Sequence, residues 1–139
     1  MSFLEALVKK SLITDTQIAD LKTAAKDKYN GDIYQALVES GLSEERIIEE
    51  KGEYLGIPVE KINMKEMSFD LLKYISEDSA IHYRFVPIGL QDGVLHVGMI
   101  DPENVQAMDA LQFISAKVGM PFKIFLISLS KFLYSLEST

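Results

Sequence analysis

The stretch from Tyr83 to Pro102, YRFVPIGLQDGVLHVGMIDP, decides how this chain folds. Val86, Ile88 and Leu90 recur at every second position, as do Leu95, Val97 and Met99, and Gln91-Asp92-Gly93 lies between the two runs. Alternation on both sides of an Asp-Gly pair predicts a β-hairpin, because that pair supplies the positive φ that a tight hairpin turn demands. Pro87 cannot donate to a ladder, so its strand is expected to have an outward edge there. Asp101-Pro102-Glu103 then reads as a helix start, with Asp as cap, Pro in the first helical position and an acid in the first turn.

Downstream of the hairpin, Val105, Met108, Leu111, Ile114 and Val118 keep helical spacing until Gly119, which is placed to stop the helix, with Pro121 close behind. Phe122 to Ile127 predicts a strand. Ser128 predicts the cap of a last helix whose Phe132, Leu133 and Leu136 pack on the sheet. The aromatic residues Phe85, Phe113, Phe122 and Phe125 are expected in the core. Upstream, Phe69 to Ile75 and Glu77 to Tyr83 read as short helices, the second capped by Ser76, while Val59 to Met67 carries only the apolar marks Val59, Ile62 and Met64. The second half is therefore α+β, with one small sheet made of the hairpin plus one more strand, packed with helices.

Further upstream, from Phe3 to Tyr54, apolar residues fall three and four apart: Leu4, Leu7 and Val8; Ile18, Leu21 and Ala25; Ile33 and Leu37; Ile47, Ile48 and Leu55. Four short helices follow from this spacing. Thr14-Asp15-Thr16-Gln17 fits a capping box, Ser43 precedes two acids, and Asn30-Gly31 breaks the chain between the second and third helices. Leu4-x-x-Leu7-Val8-x-x-Ser11-Leu12 is echoed by Ile33-x-x-x-Leu37-Val38-x-x-Gly41-Leu42, so the helices form a degenerate two-copy repeat, too short for a solenoid. With the boundary placed near Pro58, residues 1–58 make a helical subdomain and residues 59–139 an α/β subdomain.

Composition narrows the function. The chain has 139 residues, 47% hydrophobic and 25% charged, enough to bury a core in one compact domain or a domain with a small helical appendage. There is no cysteine, which removes disulfides, thiolate zinc sites and cysteine nucleophiles, and suits a reducing compartment. The opening MSFLEALVKKSL has no basic leader with an apolar core, and no later apolar run reaches the length of a bilayer span, so a soluble chain without direct membrane insertion is expected. A formal net charge of −7 argues against nucleic acid as a partner.

The run A-x-x-Y-x-V/F-x-P-x-G-x-x-D-G-x-L-x-V-x-M-x-D-P-x-N, present from Ala80 to Asn104, resembles the amino-terminal domain of the type II secretion and type IV pilus assembly ATPases. Leu55-Gly56-Ile57-Pro58 and Leu111-Gln112-Phe113 also fall where that family has similar residues, so the resemblance covers essentially the whole chain. It implies a cytoplasmic location at the inner face of the inner membrane. It implies two partners: the cytoplasmic domain of an inner-membrane secretion or pilus assembly protein, and the rest of a hexameric ATPase. The full-length protein would bind ATP, yet no segment here matches the glycine-rich GxxxxGK[ST] loop whose N–H groups cradle phosphates. A non-catalytic chain with no cofactor of its own is expected, and its end at Glu137-Ser138-Thr139 favours a fragment.

Some members of the family carry two copies of a repeat resembling RLGxxLxxxGL, ending in glutamine, that embraces cyclic di-GMP. In the second copy here Asp32 and Tyr34 stand at the arginine and first glycine positions, Ile33, Leu37, Gly41 and Leu42 match, and Tyr54 stands at the glutamine position. In the first copy the arginine, first glycine and later glycine positions hold Ser2, Leu4 and Ser11. An arginine offers a charged planar fork to phosphate, whereas Asp32 would repel it and Tyr34 adds bulk where the backbone must approach. Leu7, Ile33, Leu37 and Leu42 are expected to pack one helix pair on the other. A docking and regulatory domain is the reading that follows; a cyclic di-GMP sensor is the rival, distinguished by arginine at the repeat starts.

Other chemistry-bearing residues carry less. His82 and His96 lack the spacing of a metal site. Glu44-Glu45 and Glu49-Glu50 read as a solvated helix face, and Asp101 as a cap rather than an acid catalyst.

Overall fold

In the computed structural model of the chain, which describes residues 1–60 and 69–137, Asp92 (φ 53°) and Gly93 (φ 76°) turn the backbone between β1 (Phe85–Gln91) and β2 (Val94–Met99). Two successive positive φ values give a type I′ turn, whose twist matches that of the strands it joins. The strands pair antiparallel, Phe85 opposite Met99 and Gln91 opposite Val94, with a register shift between Pro87 and Gly89. Ile88 is the extra residue of a β-bulge, and it overturns the simple alternation expected for β1. Phe85, Val86, Pro87 and Ile88 are all buried, while Leu90 is 47% exposed.

On the other edge of β2 lies β3 (Phe122–Leu126), parallel to it, so the sheet order is β1-β2-β3 and Pro87 sits on an edge strand. Parallel neighbours cannot be joined by a tight turn. The crossover is α6 (Val105–Val118), which ends at Gly119 with φ 70° and a hydrogen bond from the Gly119 N–H to the Ser115 carbonyl. Its start differs from expectation. Asn104 is the cap, accepting the Ala107 N–H at 3.1 Å, while Asp101 accepts the Glu103 N–H at 3.1 Å in a preceding turn. A short polar side chain bonding two residues ahead makes a turn of its own, and Pro102 suits the second place of that turn as well as the first place of a helix.

Around the sheet lie α5 (Glu77–Tyr83), capped by Ser76, and α7 (Leu129–Glu137), where the Ser128 hydroxyl accepts the Lys131 N–H at 3.1 Å. Ala80, Phe85, Val97, Met99, Leu111 and Phe132 meet in one apolar core, each large side chain contributing about 1.5–3 kcal/mol by leaving water. Two residues expected inside are outside: Phe113 is 70% exposed and Leu133 is 49% exposed. Each sits beside or close to a helix residue that is buried, Leu111 and Phe132, and the helical turn of about 100° per residue carries them away from the core. The helix expected over Phe69 to Ile75 is a 3-10 turn, Phe69–Lys73. The apolar marks Ile62 and Met64 lie outside the described residues.

Contacts within the chain divide it into two compact units, Met1–Gly56 and a second from Ile57 onward. The first is made of α1 (Phe3–Lys9), α2 (Asp15–Lys28), α3 (Ile33–Glu39) and α4 (Glu44–Leu55), around a core that includes Leu4, Leu7, Leu21, Leu37 and Ile47. Caps set these helices: the Thr14 N–H donates to Gln17 Oε1 at 2.7 Å, and the Ser43 hydroxyl accepts the Arg46 N–H at 3.1 Å. Among the described residues the chain thus has seven α-helices and one three-stranded sheet, a mixed α+β fold.

Gly98 marks the tightest place in the second unit. A Cβ there would stand 2.7 Å from Ile127 Cγ2 and 3.3 Å from Ile88 Cγ2, whereas at Gly89 the nearest such atom is 3.9 Å away. Gly98→Ala is expected to destabilise the fold by about 1–3 kcal/mol, the usual range for overpacking. Gly89→Ala should be close to neutral, and urea denaturation of the two variants side by side checks both.

Candidate functional site

The helical repeat survives as structure. α1 and α3 are seven residues each and are built alike at both ends. Ser2 caps α1 by accepting the Glu5 N–H at 3.1 Å, and Asp32 caps α3 by accepting the Tyr34 and Gln35 N–H groups at 3.0 and 3.4 Å. At the far ends, the Leu12 N–H returns to the Leu7 carbonyl at 3.0 Å and the Leu42 N–H to the Leu37 carbonyl at 3.3 Å. Ser11 (φ 62°) and Gly41 (φ 114°) take the left-handed position between them, which closes each helix in a Schellman motif.

The positions expected to bear on a ligand are engaged within the unit. Asp32 bonds the first turn of α3. Tyr34 lies with its ring centroid 6.1 Å from that of Phe3 and with Lys51 Nζ 4.1 Å from its own ring centre. The Tyr54 hydroxyl donates to the Met1 carbonyl at 2.6 Å, and its ring is 5.7 Å from Phe3. Leu7 and Leu37 are buried, with Ile33 and Leu42 packed against the same cluster, so these four side chains hold the helix pairs together.

One functional-looking residue breaks the sequence reading. Glu50, expected on a solvated face, is 8% exposed and takes Lys10 at 2.6 Å and Arg46 at 3.1 Å. Lys10 also reaches Glu53. A carboxylate tolerates this burial because two cations compensate it. The Lys10 ammonium, hydrogen-bonded to Glu50, holds that carboxyl below its ordinary 4.5; Arg46 adds to the effect and burial opposes it. Conversely, Glu50 and then Glu53 raise Lys10 above its ordinary 10.5. The four-residue spacing of Arg46 and Glu50 is visible in the sequence; the partner Lys10, at the C-terminal cap of α1, is not.

A shallow depression of about 320 Å³ opens beside the repeat, walled by Phe3, Leu4, Ala25 and Ile33, with Lys22 and Lys26 at its rim. His96 lies against Phe125, centroids 4.8 Å apart, and His82 against Tyr83 at 4.6 Å. Among the described residues no group of three or more metal-ligating side chains converges, and no helix is long and apolar enough to cross a membrane.

Comparison with known proteins extends this picture. The MshEN domain family matches residues 55–137, which take in the second unit and the end of α4. The type IV pilus assembly ATPase PilB of Myxococcus xanthus is 31% identical over 115 residues, 80% of this chain and 20% of that protein, so the chain spans about one-fifth of that relative's length. Among solved structures, MshE with c-di-GMP matches with a TM-score of 0.81 at 20% identity, over 99% of this chain and 97% of that one. The N-terminal domain of XpsE matches with a TM-score of 0.59 at 24% identity, over 98% and 92%. Both likenesses show the fold.

The buried carboxylate makes the helical unit sensitive to acid. Since the folded pKa of Glu50 lies below 4.5, its contribution is present above that pH and is lost as pH falls through the lower folded value. Glu50→Gln should therefore be less stable than wild type at neutral pH and should lose less stability between neutral pH and the acid range. Thermal melts of both proteins across that interval check the sign.

Proposed function

The chain belongs to the MshEN domain family, the N-terminal domain of type II secretion and type IV pilus ATPases, and on that premise we propose that it is a docking and regulatory module for its motor. It binds a cytoplasmic part of the inner-membrane assembly platform and carries the hexameric ATPase to it, on the cytoplasmic side. The family match is to the N-terminal domain and not to the catalytic one.

The observation that carries this reading is the state of the repeat. Asp32 uses its carboxylate on the α3 cap, the Tyr34 ring is in contact with Phe3 and with the Lys51 ammonium, and Tyr54 is tied to the Met1 carbonyl. These are the places where a cyclic dinucleotide would need an arginine fork, a bare backbone and an amide. What remains for recognition is the outer surface of the helices, which suits a protein partner.

The sensor reading has one specific observation in its favour, the fold likeness to MshE with c-di-GMP. Side-chain chemistry weighs against it here. Arg at 32 would add a charged donor worth about 1.5–3 kcal/mol to phosphate, but it would also remove a cap worth about 0.5–2 kcal/mol. A glycine at 34 would further remove the ring that Phe3 and Lys51 pack on.

Calorimetry with c-di-GMP and interferometry with the cytoplasmic domain of the membrane-anchored assembly component test the two readings together. The expected outcome is saturable binding of the protein domain and none of the dinucleotide. The double variant Asp32→Arg, Tyr34→Gly should melt at lower temperature than wild type. Submicromolar c-di-GMP binding by the unmodified chain, without binding of the protein domain, would replace docking by sensing.

A further inference from the structure

The depression beside the repeat has a charge opposite to that of the chain. Formal net charge is −7, yet the rim carries Lys22 and Lys26, one helical turn apart on α2 and both exposed. Among the described residues neither lysine has an ion-pair or hydrogen-bond partner. The walls below them, Phe3, Leu4, Ala25 and Ile33, are apolar and come from both copies of the repeat. A volume of about 320 Å³ has room for one or two side chains.

From this juxtaposition we propose that the depression is the docking point for an acidic peptide segment of the partner, one apolar side chain seated between Phe3 and Ile33 and flanking carboxylates paired with Lys22 and Lys26. The inference rests on the docking reading and gives the chemistry of its partner. Lysine ammoniums act as point charges that take a carboxylate from many directions, whereas planar, bidentate recognition of a phosphodiester calls for arginine, and the depression has none. The apolar floor favours a side-chain anchor in the same way, since an inorganic anion would leave it wet.

The test is an amide-resolved NMR titration of the labelled chain with the synthetic peptide acetyl-Glu-Phe-Asp-amide, its Gln/Asn isostere, inorganic phosphate and c-di-GMP. Shifts should cluster at Lys22, Ala25, Lys26 and Ile33 with the acidic peptide and vanish with the isostere. Binding should weaken about tenfold in Lys22→Glu/Lys26→Glu, with the neutral Lys22→Gln/Lys26→Gln variant between. Equal shifts from peptide and isostere, or shifts there from phosphate or c-di-GMP alone, would overturn the proposal. If the partner domain binds wild type and the charge-reversed variant equally, the depression is not the docking point although docking stands. If that domain binds neither form while the acidic peptide still shifts these amides, the depression keeps its specificity and the docking reading falls.

Discussion

Parallel pairing of β3 on β2 is the constraint from which the α/β unit follows. A chain that leaves β2 at Met99 must travel back along the whole sheet before β3 can run beside it, and α6 makes that return. The junction closes at Leu126, which lies opposite Met99 on one side and Val59 on the other. Its N–H donates to the Pro58 carbonyl at 2.8 Å and its carbonyl accepts the Glu60 N–H at 2.9 Å, while the Ile127 N–H goes to Met99. Residues that enter the unit are thereby pinned to its last strand. Gly98 has to be bare because Ile127 crosses its face at this same junction.

The helical unit rests on a different principle. Its short helices hold few internal hydrogen bonds, so caps and tertiary packing decide whether they form at all. Ser2, Thr14, Asp32 and Ser43 start the four helices, and Leu7 and Leu37 join the two copies. The buried Glu50, paired with Lys10 and Arg46, links the C-terminal cap of the first helix to the fourth helix. Asp32, Tyr34 and Tyr54 belong to the same scaffold, the first as a cap and the other two through contacts with Phe3, Lys51 and the Met1 carbonyl.

Much of this was legible in the chain. Asp92-Gly93 between alternating runs announced the hairpin, and Gly119 and Ser128 marked ends that the structure keeps. What escaped depended on distant partners. Nothing in Phe122 to Leu126 says which strand it will join or in which direction, and the bulge at Ile88 shows only once Phe85 and Gln91 have both found partners. Asp101 and Asn104 are equally good caps by type, and only the geometry of the turn chooses Asn104. Asp32 is legible as a departure from a ligand motif, while the signal of its capping duty is Asn30-Gly31 before it and helical spacing after it. Glu50 reads as solvated because its partner Lys10, just past the end of α1, is far away in the sequence.

On the proposed docking role, the helical repeat is held by its own side chains and presents its outer surface to a protein. Hydrogen exchange read by mass spectrometry tests it most directly, with the chain alone, with c-di-GMP, and with the cytoplasmic domain of the assembly partner. Exchange in α1 to α3 should slow only when the protein domain is present, with no change on adding the dinucleotide. Protection of α1 and α3 by c-di-GMP, and none by the protein domain, would contradict it.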